Sequence, residues 1–185
     1  MTTRPPVRTR ILDAAALLFY TEGIRAVSAD RIIAAAETTK VTFYRYFRTK
    51  EELVVAYLQA QSKRTRAAAE NLSPDPCTGL LELAEAMGVE TCIPGFRGCP
   101  FINAAAEYPD PRSPIRAVVL EHRQWLHAEV SGRLAQLGAQ DPDSLADQLL
   151  MLRDGAMVHG YVADPASVST ALINGGRAIL GSLVP

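Results

Sequence analysis

Residues Thr39 to Leu53 read TKVTFYRYFRTKEEL, and groups able to bond a phosphate crowd this stretch. Lys40, Arg45, Arg48 and Lys50 carry cations, while Thr39, Thr42, Tyr44 and Tyr46 carry hydroxyls. The chain has five Phe, six Tyr and one Trp, and Phe43, Tyr44, Tyr46 and Phe47 fall within five positions of one another. On a helix turning about 100° per residue, Phe43 and Phe47 stack one above the other. Tyr44 and Tyr46 then flank that line, each able to rest a ring on a core and put a hydroxyl outside. Val41, Thr42 and Arg45 point away from it, and Lys40 lies near the helix start. The chemistry is recognition of a polyanion, with no bond made or broken. A short, polar, cationic helix face suits the major groove of DNA.

Other chemistries find less support. Cys77, Cys92 and Cys99 are an odd number with no close pair, so they do not make a disulfide framework. Cys92 and Cys99 are not followed by His at finger spacing, so no metal site is expected. Cys92 to Arg97 is one residue short of a phosphatase loop, and no Gly-rich phosphate loop or nucleophile elbow is present. We therefore expect no enzyme and no cofactor.

The cationic stretch needs elements to hold it. Nearly every apolar stretch has helical spacing and none alternates usefully with period two, so the expected fold is all-α. Ile11, Leu12, Ala15, Leu18 and Phe19 make one stripe, ended by Gly23. Ser28 is a good N-cap for a short second helix with Ile32, Ile33 and Ala36 inward. Residues 37 to 39 form a turn. A third helix runs from about Lys40 to Arg48. Thr49 and Glu52 make a capping box for a fourth, which buries Leu53, Val54, Tyr57 and Leu58 and reaches about Glu70.

SPDPCTG, residues 73 to 79, reads as a break. Beyond it, Ser113-Pro114, Asp141-Pro142 and Asp164-Pro165 open long helices, and CIPGFRGCP, residues 92 to 100, is a loop before a helix at Phe101. The result is a three-helix head and a larger helical body.

Charge divides the chain in the same place. Residues 1 to 66 carry 12 Lys and Arg against 6 acids, and residues 67 to 185 carry 7 against 14. A basic head on an acidic body fits a polyanion partner, or two surfaces that attract each other across a dimer. No apolar run reaches the ~18 residues of a membrane span. MTTRPPVRTR lacks the apolar segment of a signal peptide, so a soluble cytoplasmic protein is expected. The arm MTTRPPVR, with Arg4 and Arg8, either lies along a minor groove or is a disordered terminus.

ILDAAALLFYTEGIRAVSADRIIAAA followed by TKVTFYRYFRTKEEL resembles the helix-turn-helix head of TetR-family transcriptional regulators. The resemblance covers Arg10 to Leu58, about a quarter of the chain. It implies a DNA-binding domain over residues 1–50 and a regulatory domain over 51–185, tetracycline-repressor-like in fold. It also implies a homodimer, a palindromic double-stranded DNA operator and a small-molecule effector that releases the repressor.

Carried over by position, Ser28 caps the second helix and can bind a phosphate, and Thr39 caps the recognition helix. Lys40, Val41 and Thr42 would touch base edges, and Tyr44, Tyr46 and Lys50 would touch phosphates, with Arg45 an extra contact. The family usually has Gly and an apolar residue where this chain has Glu37 and Thr38. If position 37 needs a left-handed backbone, Glu costs ~1 kcal/mol more than Gly there.

In the body, Met87, Phe96, Phe101, His122, Trp125, Met157, His159 and Tyr161 are the candidates for lining an effector pocket, although residue types of this kind also fill cores. RGCPFINAAAE, residues 97 to 107, resembles a stretch in a subset of the family, some members of which sense oxidants or electrophiles through a nearby Cys. A helix start beside Arg97 is a setting in which Cys99 could react, and a small buried residue is the alternative. The remaining alternative for the whole chain is a ligand- or thiol-sensing helical protein without specific DNA recognition.

Overall fold

The computed structural model describes residues 4–183. Those residues form nine α-helices and no strand. They are α1 (Val7–Glu22), α2 (Ala29–Ala35), α3 (Lys40–Tyr46), α4 (Lys50–Ala69), α5 (Pro76–Thr91), α6 (Pro100–Glu107), α7 (Pro114–Gln136), α8 (Pro142–Val162) and α9 (Val168–Leu180). Short 3-10 turns cover Pro165–Ser167 and Gly181–Leu183. No helix among the described residues is long and apolar enough to cross a membrane.

The chain separates into two compact units. One contains the residues up to Thr65 together with Pro100–Leu120, and the other contains Arg66–Cys99 together with the residues from Glu121 onward. α6 and the first part of α7 therefore belong with the head helices, although they lie beyond residue 50 in the sequence.

Local chemistry sets the helix ends of the first unit. The hydroxyl of Ser28 accepts from Arg31 N at 3.3 Å, and that of Thr39 accepts from Thr42 N at 3.2 Å. Each satisfies an amide that the first turn leaves without a helical partner. Thr49 accepts from Glu52 N at 3.1 Å. Glu52 reaches back one residue further than a capping box requires, taking Arg48 N at 2.8 Å. This is possible because α3 stops at Tyr46, earlier than expected, and Phe47 is already extended.

The turn after α2 is a Schellman cap. Thr38 N donates to Ile33 O and Glu37 N to Ala34 O, both at 3.1 Å. The motif places Glu37 in the left-handed region at φ 48°. The same bonding ends α7, where the left-handed position is held by Gly138 at φ 82°. The departure at position 37 noted in the sequence thus falls on a backbone that favours glycine.

Beneath these caps the unit buries Ile11, Ala15 and Phe19 of α1, Ile32 of α2, Phe43 and Phe47, and Leu53, Val54, Tyr57 and Leu58 of α4. Phe19 meets Tyr57 edge-on at 5.7 Å. Each large apolar side chain buried this way contributes roughly 1.5–3 kcal/mol.

The second unit packs α9 against α5 and α8. A buried cluster of Val130, Leu134, Ala146, Leu150 and Leu180 forms its centre. The expected break at residues 73 to 79 is shorter than its sequence suggested. Asp75 caps α5 by accepting from Thr78 N at 2.8 Å, with Pro76 in the first turn, so Cys77 to Gly79 are helical. A proline needs no amide partner there, which is why it starts this helix instead of breaking it. The last helix likewise opens on a 3-10 turn, capped by Asp164 through Ala166 N at 3.0 Å. Close helix approach has a visible cause at Gly160, where a Cβ would stand 2.7 Å from the buried Thr91 side chain. Gly175 of α9 faces Leu152 of α8 in the same chain.

Candidate nucleic-acid interface

The four aromatics of α3 and its C-cap divide as their spacing predicts. Phe43 and Phe47 are 1% and 3% exposed, and Tyr44 and Tyr46 are 41% and 40% exposed. Tyr44 leans edge-on against Phe43 at 5.2 Å, and Arg45 lies over the Tyr46 ring at 5.4 Å. Both phenol rings are thus braced on one side while remaining accessible on the other. Val41 is 83% exposed at the start of the helix. Thr42 is less available than its neighbours, because its hydroxyl accepts from the Thr39 hydroxyl at 2.9 Å.

Two cations near this face have acidic neighbours. Lys40 lies 3.8 Å from Asp30, an exposed and loose pairing. Arg4 pairs with Glu37, and Arg10 reaches the Glu37 carbonyl at 3.4 Å. Arg8 lies over the Phe47 ring at 5.4 Å. Two arginines of the N-terminal arm region are therefore seated on the head, while residues 1–3 of that arm lie outside the described residues.

Lys50 is turned inward. Its ammonium donates to Arg25 O at 3.3 Å and lies over the Phe19 ring at 5.9 Å. Burial pushes the ammonium below the usual lysine range, and the nearby Glu107 carboxylate partly offsets this.

In the other unit, His122 is buried and Trp125 half-buried, with ring centroids 5.5 Å apart. Arg66 lies over Trp125 at 4.8 Å. Burial, and then the positive Arg153, Arg66 and Arg123, push the His122 imidazole down to about 4, so it is neutral at pH 7. Arg153 donates to Asp154 at 2.8 Å and approaches the buried Cys99 sulfur at 3.7 Å. Arg123 takes the other oxygen of Asp154 at 2.7 Å.

Of the remaining pocket candidates, Met157 is buried and Met87 and Phe96 are half-buried. His159 and Tyr161 are exposed, the first bonded to Ser167 at 3.2 Å and the second beneath Arg97 at 5.7 Å. Phe101 is buried in the unit that contains the head. His122 and Trp125 are therefore brought together, and they share their surroundings with Cys99 through Arg153.

Residues 11–57 match the family model of bacterial regulatory proteins of the tetR family. Over nearly the whole chain, the protein is similar to the crystal structure of a TetR-family transcriptional regulator from Streptomyces coelicolor. Identity is 41%, with 97% of this chain and 96% of that chain covered and a TM-score of 0.91. The chain belongs to the TetR family.

A TetR-type regulator from Streptomyces avermitilis is 29% identical, covering 97% of this chain and 98% of that one at a TM-score of 0.85. Among curated proteins, an HTH-type transcriptional regulator of Mycobacterium tuberculosis is 28% identical over 138 residues, 74% of this chain. The match spans 65% of that relative's length. The TetR family consists of DNA-binding transcriptional regulators and not of enzymes, so the helix-turn-helix head of this chain is a DNA-binding element.

Two features of this TetR head escape a reading along the sequence. The pairing of Glu37 with Arg4 joins residues 33 positions apart, and Glu107 bonds the backbone of Ile24 and Arg25 from 83 and 82 positions away. Neither leaves a local pattern. The only signal for Glu107 is its odd position, since a carboxylate at the last residue of a helix opposes the helix dipole.

Proposed function

We propose that the protein is a homodimeric, cytoplasmic repressor that binds a palindromic operator and is released by a small-molecule effector. Residues 1–50 would serve as the DNA-binding domain and 51–185 as the regulatory domain. The observation that carries this reading is the division of α3, with two phenylalanines anchored inward and Tyr44 and Tyr46 at the surface. In the proposed docking, Lys40, Val41 and Thr42 meet base edges, and Ser28, Tyr44, Arg45, Tyr46 and Lys50 hold phosphates. Thr39 fixes the start of the helix that enters the groove.

Dimerisation is supported by a second apolar face on α8. Ala146, Leu150 and Met157 are buried, while Met151, Val158 and Val162 are exposed on the same helix. A Cβ at Gly155 would meet nothing within 4 Å, which leaves room for a close partner backbone. A two-fold operator needs two heads, about one helical turn of DNA apart.

For the effector, the neutral imidazole of His122 and the Trp125 ring, with centroids 5.5 Å apart, are the side chains that support a site in this unit. A thiol-sensing variant of this reading is favoured by the approach of Arg153 to Cys99.

The test is selection of duplexes from a random-sequence pool by the purified protein. Recovery of palindromes with half-site centres about 10 base pairs apart is expected. Recovery of no consensus would leave the helical sensor without specific DNA recognition. Quenching of Trp125, the single tryptophan, then serves to screen effectors.

A further inference from the structure

We propose that Glu107 is a positioning residue for DNA binding, the latch by which α6 fixes the backbone leading into the helix-turn-helix. One carboxylate oxygen accepts from Ile24 N at 2.9 Å and the other from Arg25 N at 2.6 Å. Both bonds run to a carboxylate, which makes them stronger than bonds to a neutral acceptor. They are also the means by which these two loop amides are satisfied without a helix around them.

The loop is built to receive this carboxylate. Gly23 sits at φ 93°, and a Cβ there would stand 3.4 Å from Glu107 Oε1. The two flanking groups close over the same point. Lys50 donates to the Arg25 carbonyl at 3.3 Å, and the Arg25 guanidinium lies over the Tyr108 ring at 5.6 Å. Burial, with Glu107 adjacent, raises Tyr108 above the usual phenol range, although Arg25 opposes this. Glu107 thus ties the end of α6 to the loop after α1, and Lys50 ties the start of α4 to the same loop.

The loop ends at Ser28, the N-cap of α2, three residues beyond Arg25. Its backbone sets where α2 begins and, through the turn at Glu37, where α3 lies. Glu107 acts on DNA binding through this geometry and does not itself touch the duplex.

The sign of its effect separates this role from plain electrostatics. Removing an acid near a polyanion should tighten binding, whereas releasing the latch should weaken it. The probe is a duplex selected from a random-sequence pool by the wild-type chain, with affinity read by fluorescence anisotropy at fixed salt. Glu107→Gln presents an amide nitrogen where one acceptor is needed and is expected to lose roughly tenfold or more in affinity. Glu107→Asp, with the charge on a shorter stem, should fall between the two. Asp110→Asn removes the same charge from a neighbouring exposed site and should bind as well as wild type or better. Equal or tighter binding by Glu107→Gln would overturn the proposal.

Amide hydrogen exchange without DNA supplies a second reading. Ile24 and Arg25 should lose protection in Glu107→Gln while Leu53 and Val54 keep theirs. Unchanged protection at Ile24 and Arg25, or equal loss at all four, would also overturn the positioning role. Should the wild-type chain select no duplex, the DNA-binding role itself fails, and the exchange measurement still decides whether the latch exists.

Discussion

The ammonium of Lys50 donates to the main-chain carbonyl of Arg25 at 3.3 Å, so this cation is held by the head instead of extending from it. A DNA phosphate at the start of α4 would take Lys50 from a partner it already has. The gain on binding is a difference between two contacts, which moderates its size.

Lys50→Ala should weaken binding to all duplexes alike. If Lys50 neutralises one phosphate, the slope of log affinity against log salt should shrink by about 0.9. Tyr44→Phe removes a neutral donor and should cost about fivefold with no change of slope. Anisotropy titrations across a salt series check both, and an unchanged slope in Lys50→Ala would remove Lys50 from the interface.

Glu37 occupies a left-handed backbone position in a Schellman cap, where asparagine is tolerated better than glutamate. Glu37→Asn should stabilise the head by roughly 0.5–1 kcal/mol, since the exposed pair with Arg4 contributes little. It should also raise nonspecific DNA affinity by removing a negative charge. Glu37→Ala keeps the backbone cost and should not stabilise. Urea unfolding of the three proteins makes the comparison, and a Glu37→Asn midpoint below wild type would contradict it.

His122 titrates at about 4 when folded, against 6.5 for an unperturbed imidazole. Because the folded value is the lower, the unfolded chain takes up a proton between pH 6.5 and 4 that the folded chain refuses. Stability from this group is therefore complete above pH 6.5, falls as the pH drops toward 4, and is level below that. The loss is on the order of 3 kcal/mol across the window. His122→Gln should remove this portion of the acid limb, so the stability difference between wild type and variant should shift toward the variant as the pH falls. Parallel pH profiles would mean that His122 is not a buried neutral imidazole.

Met151 and Val158 are two turns apart on the exposed face of α8. If that face is the dimer interface, Met151→Glu with Val158→Glu should convert a dimer into a monomer with its helix content intact. Light scattering coupled to size exclusion gives the answer. A wild-type monomer, or a double variant that stays dimeric, would remove this face from consideration.

Short-range chemistry was readable in advance and long-range chemistry was not. Ser28, Thr39 and Thr49 announce their helices because a cap acts over three residues, and Phe43 and Phe47 announce their burial because a helix repeats every turn. Pro76 misled, since the same residue that ends a helix also suits its first turn. The inward turn of Lys50 and the bonds of Glu107 depend on which elements become neighbours, and no local spacing encodes that. In the body, apolar residues at helical intervals fit both a core and a pocket, so His122 and Trp125 could be named as candidates but not paired. The left-handed position of Glu37 was legible only by contrast with the pattern of related heads.

Val41 stands almost wholly outside the packed head, on a helix whose hold depends on Phe43 and Phe47. A residue with so few neighbours can be exchanged at almost no cost to folding. In the proposed docking the same residue meets base edges. Operator preference could then be revised one codon at a time in a head that folds unchanged, so duplicated copies of such a gene would have a short mutational path to separate targets.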